Sequence, residues 1–427
     1  MGWCGKLAVM AAGLMMALGL ASGGARGEDA PLTLSPLEEQ AADWAVGFWA
    51  LPVPPQGPPP ETYPVLTSTT GADTCRLCHL GIYQQWETSR HALSMGPGVT
   101  AQLPGMNHGE QARCLGCHAP RSEQWPRLPG EKGWAENPVF SASQSRQGLD
   151  CAGCHLRGHR RHGPLPSLLA EGTPGGIRPR DASFLLHGEP FRTGFFSTST
   201  YCRDCHQHQG GRKPDSPPPQ NTYREWLDSP YPAQGVTCQG CHMPRREHRF
   251  SGIHDREFTR DALDFKVWTE PRQLNAGADM EAVLEVRNAR VGHAFPTYST
   301  PAVFLRAALL DARGEVIPGQ FAEQALQRRL VFENSGWREL SDTRLLPGQK
   351  GRVRLRGPVP GQARRLMLWA WVEPGWHYRG FFQARLDADP RGPAAEQYKA
   401  ALDKARDGAY MLFSTTIPVS GQSGKQP

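Results

Sequence analysis

The sequence predicts an α+β chain in two parts. A loop-rich, mainly helical segment over residues 71–261 precedes an antiparallel, immunoglobulin-like β-sandwich over 262–427. Three observations predict it. Gly and Pro supply 86 of the 427 residues, a share that speaks for loops. Ten of the eleven cysteines fall in five pairs between positions 75 and 241. From about residue 262 the chain turns to short runs of alternating apolar and polar residues with turn signals between them, the pattern of antiparallel strands. With 39% hydrophobic residues, 12 Trp and 16 Phe, the chain is too apolar to be disordered and too polar for a multi-span membrane protein.

Residues 1–27 read as a secretory signal peptide. Lys6 precedes an apolar run of 15 residues, Leu7–Ala21, and Ala25-Arg26-Gly27 is a plausible cleavage site. The run is shorter than the ~20 residues a membrane span needs. Cys4 precedes it and leaves with it. The mature protein is expected to be exported, to the periplasm or the cell surface, without a transmembrane span.

Residues 28–70 form an N-terminal extension. Ser35 is a candidate helix N-cap, Pro36 suits the first helical position, and Glu38 is placed to close a capping box. The helix is expected to reach about Ala50. Residues 51–60 then hold six prolines in ten positions, which makes an extended strap.

The ten remaining cysteines form five Cys-x-x-Cys-His motifs: Cys75, Cys78 and His79; Cys114, Cys117 and His118; Cys151, Cys154 and His155; Cys202, Cys205 and His206; Cys238, Cys241 and His242. Disulfides would suit an exported chain, but this spacing attaches c-type haem. Two thiols add to the two haem vinyl groups, and the adjacent His ligates the iron. Structural zinc needs no such His, and a thioredoxin-like site needs one motif beside a βαβ unit, not five without one. Five covalent haems c are therefore expected, with no disulfides. About 38 residues per motif leave little room for an ordinary apolar core, so the porphyrins themselves are expected to fill the centre.

Haem also revises the charge. The formal +6 falls by two when Lys6 and Arg26 leave, and each haem brings two propionates. A nucleic-acid partner loses its support. The basic clusters Arg157–His162 and Arg245–Arg249 read as propionate partners or solvated faces.

In the β part, strands are expected over Met280–Val286, Val303–Leu310, Gly351–Leu355 and Leu366–Val372. An amphipathic helix follows over Ala394–Arg406, and Tyr410–Val419 returns as a last strand.

The haem segment resembles the multihaem cytochromes of the cytochrome c-554 kind. The resemblance rests on Cys75–His79 followed by Tyr83, Trp86, Ser89 and His91-Ala92, on Gly96-Pro97-Gly98, on Cys117–Pro120, on Trp226–Tyr231, on Cys241–Pro244, and on Gly292-His293-Ala294-Phe295-Pro296-Thr297. It implies a haem-packed helical domain with a following β-domain. Ammonia-forming nitrite reductases place a Lys at one proximal position, whereas all five motifs here end in His. Hydroxylamine oxidoreductases carry more motifs and a crosslinking Tyr with no recognisable equivalent here.

Ten histidines remain for the distal positions. The expected ligands are His91, at helical distance after the first motif; His187, where this family often places one; His248 and His254, after the fifth motif; and His293, by which the β-domain would clamp a haem. His108 and His162 are reserves, Met95 and Met106 are outside candidates, and His159, His208 and His377 read as surface residues. No catalytic residue is assigned.

Bis-His haems packed edge to edge make an electron relay between redox partners, such as other cytochromes or a membrane quinol-linked complex. The alternative is an oxidoreductase acting on a small nitrogen or sulfur oxyanion at one open haem, with the Arg157–His162 cluster near it. A second alternative is a structural subunit of a haem-chain assembly. The sequence leaves the oligomeric state open.

Overall fold

The computed structural model describes residues 35–165, 190–208, 210 and 215–420. The expected signal peptide and His187 lie outside the described residues.

Helix α1 (Pro36–Phe48) starts as expected, with the Ser35 hydroxyl accepting from the Glu38 N–H at 3.3 Å. It buries Ala41, Ala45 and Phe48 against Trp49, Val53 and Phe195. The capping box does not close. The Glu38 carboxylate instead accepts from the backbone N–H of Ser199 at 2.5 Å and Thr200 at 3.0 Å, and from the Thr200 hydroxyl at 2.7 Å. Those donors open the helix of the fourth motif, so unpaired N–H groups at a distant helix start outcompete the carboxylate's own N-terminus. The proline-rich strap crosses to the second motif. Val53 donates to the Pro120 carbonyl at 2.8 Å and accepts from Ser122 at 2.9 Å.

Short helices carry the motifs: α2 (Ala72–Cys75), α5 (His108–His118), α6 (Cys151–His155), α7 (Thr200–His206) and α9 (Cys238–His242). Between them lie α3 (Leu80–Trp86), α4 (Pro97–Thr100) and α8 (Thr222–Leu227). In four of the five the motif His closes the helix, while His79 follows a turn after α2. Polar residues set the starts. Asn107 and Glu110 form a reciprocal capping box on α5, and the Asp150 carboxylate accepts from Gly153 at 2.8 Å on α6.

The β-domain holds two sheets. The strands are β1 (Leu263–Glu270), β2 (Leu274–Asn275), β3 (Asp279–Asn288), β4 (Ala302–Leu310), β5 (Val316–Glu333), β6 (Gly336–Asp342), β7 (Lys350–Pro358), β8 (Arg365–Glu373) and β9 (Tyr410–Ser420). One sheet runs β6-β5-β4-β8-β9-β2, the other β7-β3-β1. Pairing is antiparallel, with Leu305 opposite Ala370 and Val353 opposite Leu284, except that β9 and β2 run parallel. Leu366, Leu368, Ala370 and Val372 are buried at every second position of β8, as a sheet with one face on a core requires. They share one apolar core with Leu263, Leu284, Leu305, Val353 and Leu412 from both sheets.

A helical hairpin, α10 (Trp376–Ala388) and α11 (Ala395–Asp407), is inserted between β8 and β9. It does not join the sandwich core. Its Phe382, Ala401 and Leu402 pack on Ala101, just after α4 in the haem segment. Among the described residues no helix is long and apolar enough to cross a membrane.

Candidate haem centre

All ten motif cysteines and all five motif histidines line one continuous cavity of about 3170 Å³. A pocket for one small ligand is roughly 300–1,000 Å³, so the space suits several large groups. No motif cysteine is in a disulfide. Thiols from different motifs lie near one another instead: Cys75 and Cys151, Cys117 and Cys205, and Cys202 and Cys238 are each close enough to shift the other's ionisation. Cys154 lies close enough to Cys202 and Cys205 to act on both electrostatically. The attachment points thus run from motif one to three to four, and motifs two and five both join four. Thiols and imidazoles from every motif lining one large, partly apolar cavity fit covalent haem.

The motif imidazoles are aimed by their other nitrogen. Nδ1 faces a backbone carbonyl in His118 (Ser94, 2.8 Å), His155 (His162, 2.9 Å) and His242 (Ser251, 2.6 Å). In His206 it faces the Gln220 side-chain amide at 3.1 Å. A carbonyl accepts only, so in His118, His155 and His242 Nδ1 carries the proton and Nε2 keeps its lone pair, the form that ligates iron, whereas the Gln220 amide nitrogen donates to His206 Nδ1. Ser94 also fixes its surroundings. Its hydroxyl lies 2.6 Å from the His118 carbonyl and 2.7 Å from that of His91. The backbone passes this point at Gly148, with φ of 63°, where a Cβ would lie 2.7 Å from the His91 carbonyl oxygen.

Three of the expected distal histidines stand opposite motif histidines. Ring centroids are 6.2 Å apart for His91 and His206, 6.3 Å for His155 and His248, and 6.3 Å for His242 and His293. The last pair is within 10° of parallel. Nδ1 of His248 faces the Arg246 carbonyl at 2.9 Å, and that of His293 faces the Ala294 carbonyl at 3.0 Å. Gly292 lets the His293 loop lie on the haem segment, since a Cβ there would sit 3.1 Å from the Tyr231 ring. Burial suppresses protonation of all these imidazoles, to about 3 for His91 and about 4 for His206, His248 and His293.

Other histidines stand elsewhere. His254 lines the cavity, but its Nδ1 faces the Arg90 guanidinium at 2.5 Å. His108 lies outside the large cavity, beside Trp134. His162 packs among Trp44, Phe48 and Phe191. His159, expected at the surface, is buried, with Nε2 facing the Gly57 carbonyl at 2.9 Å. Among the described residues no second imidazole stands across from His118 at the spacing of the three pairs.

Arg157 departs from the expectation of a propionate partner or solvated face. Its guanidinium donates to the Phe48 carbonyl at 2.9 and 3.0 Å and to the Gly153 carbonyl at 3.0 Å, and lies 3.7 Å over the Phe48 ring. It braces α1 against the third motif. Arg161, Arg245, Arg246 and Arg249 do line the cavity. Sequence reasoning missed Arg121, fully buried, whose guanidinium meets Asp150 at 2.6 Å, Gln144 at 2.6 Å and Thr70 at 3.0 Å. A single Arg without periodic context gives no signal of such a role.

Residues 74–156 match the family model described as cytochrome c554 and c-prime. The penta-heme cytochrome c552 of Thermochromatium tepidum superposes with a TM-score of 0.56 at 19% identity, over 82% of this chain and 98% of its own. The alkylpurine DNA glycosylase AlkC of Pseudomonas fluorescens reaches a TM-score of only 0.18 at 8% identity, over 39% of this chain and 32% of its own, and carries no argument. No curated protein matches the chain in sequence.

Proposed function

We propose that this chain, whose residues 74–156 match the cytochrome c554 and c-prime model and whose fold matches a penta-heme cytochrome c552, is a multihaem c-type cytochrome that relays electrons along five covalent haems, outside the cytoplasm, between redox partner proteins. The single observation that carries this reading is the closeness of thiols from different motifs, Cys75 to Cys151, Cys117 to Cys205 and Cys202 to Cys238. These cysteines would hold their haems by thioethers, so haems of different motifs would be anchored close together.

Bound haem c supplies a one-electron iron couple; the chain supplies the ligands and the surroundings. His91, His248 and His293 serve as distal ligands to the irons held by His206, His155 and His242. The spacing supports this. The centre-to-centre spacings of 6.2–6.3 Å would leave room for one metal ion held between the two imidazoles of each pair. His187 is proposed as a fourth distal ligand. Bis-imidazole ligation lowers potentials relative to His/Met ligation, and closed irons carry electrons without binding substrate. Mixing the reduced holoprotein with excess oxidised small c-type cytochrome tests the relay. All five haems should empty in a single kinetic process, whereas electrons trapped on a subset would contradict it.

A second reading is favoured by one observation. His118 lines the cavity with its Nδ1 taken by the Ser94 carbonyl, and among the described residues no imidazole lies at the spacing of the three pairs from it. On this reading the second motif's haem would have an open face, as an oxidoreductase site requires, with the Met106 thioether, 3.9 Å from Cys114, beside it. Cyanide binding by one haem per oxidised molecule is the expected result, and no binding would remove this reading.

A further inference from the structure

We propose that Arg90, His254, Lys404 and the hydroxyls of Tyr298 and Tyr378 form a binding site for a small oxyanion beside the second motif. The proposal rests on the reading that this motif's haem has an open face.

The five residues come from five separate segments and all line the cavity. Arg90 lies in the turn after α3, and His254 in the loop after α9. Tyr298 lies in the loop between His293 and β4, while Tyr378 and Lys404 sit on α10 and α11 of the inserted hairpin. The hairpin is what assembles them. Its apolar packing on Ala101 sets Tyr378 beside Gln102 and close enough to Cys114 of the second motif to feel its charge. The same packing sets Lys404 close enough to His254 to oppose its protonation.

The tautomer of His254 separates it from the ligand histidines whose Nδ1 meets a backbone carbonyl. A guanidinium has donors and no acceptor, so opposite Arg90 the His254 Nδ1 must accept. The proton then sits on Nε2, which donates. His118, His155, His242, His248 and His293 do the reverse, giving Nδ1–H to a carbonyl and keeping Nε2 as a lone pair. With Nδ1 occupied by Arg90, His254 offers Nε2–H as a hydrogen-bond donor.

The charge around it is positive. Among the described residues neither Arg90 nor Lys404 has a carboxylate within ion-pair distance, and the nearby Asp255 carboxylate caps the next helix through the Phe258 N–H at 3.0 Å. Burial keeps Tyr298 and Tyr378 protonated as donors. Tyr298 is also held at φ of 40°, strained for a residue with a side chain, and such strain persists where surrounding structure imposes it. Two cations, an imidazole N–H and two phenols offer donors and no anionic acceptor. That set selects a small oxyanion of nitrite or sulfite size, with the remaining Arg90 donors suited to its planar or pyramidal oxygens.

Titration of the oxidised holoprotein with sodium nitrite, and separately with neutral imidazole, read by the high-spin EPR signal, tests this. Arg90→Gln and Lys404→Gln should each weaken nitrite binding about tenfold or more, the loss of one charge-assisted bond, and leave imidazole binding unchanged. His254→Ala should leave the number of low-spin haems unchanged. Nitrite affinities within twofold of the parent in both variants overturn the site while the open haem stands. Loss of a low-spin haem in His254→Ala makes it a ligand and also overturns the site. If the parent has no high-spin signal and binds neither probe, the open-haem reading falls, and the site with it.

Discussion

The imidazoles of His242 and His293 face each other 6.3 Å apart and within 10° of parallel. One belongs to the fifth Cys-x-x-Cys-His motif and the other to a loop of the β-domain. With His293 as the distal ligand, the β-domain contributes directly to a haem. His293→Ala should convert one haem from low-spin to high-spin and open it to cyanide, both read by EPR. An unchanged low-spin count would reduce His293 to a packing residue.

Glu38 ties the N-terminal helix to the start of the fourth motif's helix through Ser199 and Thr200. Replacing it with Ala leaves buried N–H donors unpaired. Hydrogen bonds to a charged group are worth about 1.5–3 kcal/mol each, so Glu38→Ala should lower the urea midpoint of the holoprotein measurably, while Glu38→Gln should recover part of the loss. An unaltered midpoint would mean that the extension is not coupled to the motif.

Arg121 and Asp150 form an ion pair with both side chains fully buried. Removing one partner of such a pair costs about 3–5 kcal/mol because the other charge stays buried. Asp150→Ala should therefore destabilise far more than Arg121→Met combined with Asp150→Leu, measured by urea unfolding. Equal losses would mean that water reaches the pair.

The haem segment owns only small apolar clusters, such as Ala72, Trp86 and Ala92. Mass spectrometry of protein made with a haem-attachment system should show five covalent haems and no free thiol among the ten motif cysteines. Protein made without that system should lack stable tertiary structure by near-UV circular dichroism. A folded haem-free chain would show that the segment has a sufficient core of its own.

Much of this organisation was legible in the sequence. The motifs, the strap and the alternating strands of the β-domain need only local spacing, and the strand over Leu366–Val372 reads directly from its period of two. Residues whose partners lie far along the chain were harder. Glu38 carries the signature of a local capping box, yet its carboxylate caps a helix 161 residues away. Helix α10 went unread because Trp376–Ala388 buries only Phe382 among its residues and starts without a side-chain cap. The β5–β6 hairpin is mostly polar and half-exposed, so it lacks the apolar alternation that marks a strand. His91, His248 and His293 were identifiable as candidates, but which motif each faces is a property of the tertiary fold. The tautomer of His254 depends on Arg90, 164 positions away.

Near-infrared magnetic circular dichroism of the oxidised holoprotein, normalised per covalent haem, tests the proposed ligation most directly, because it separates bis-imidazole, His/Met and high-spin haems. Four bis-imidazole haems and one high-spin haem are expected for the five motifs. Fewer than three bis-imidazole haems would contradict the pairing of His91 with His206, His248 with His155 and His293 with His242, and with it the relay built on them.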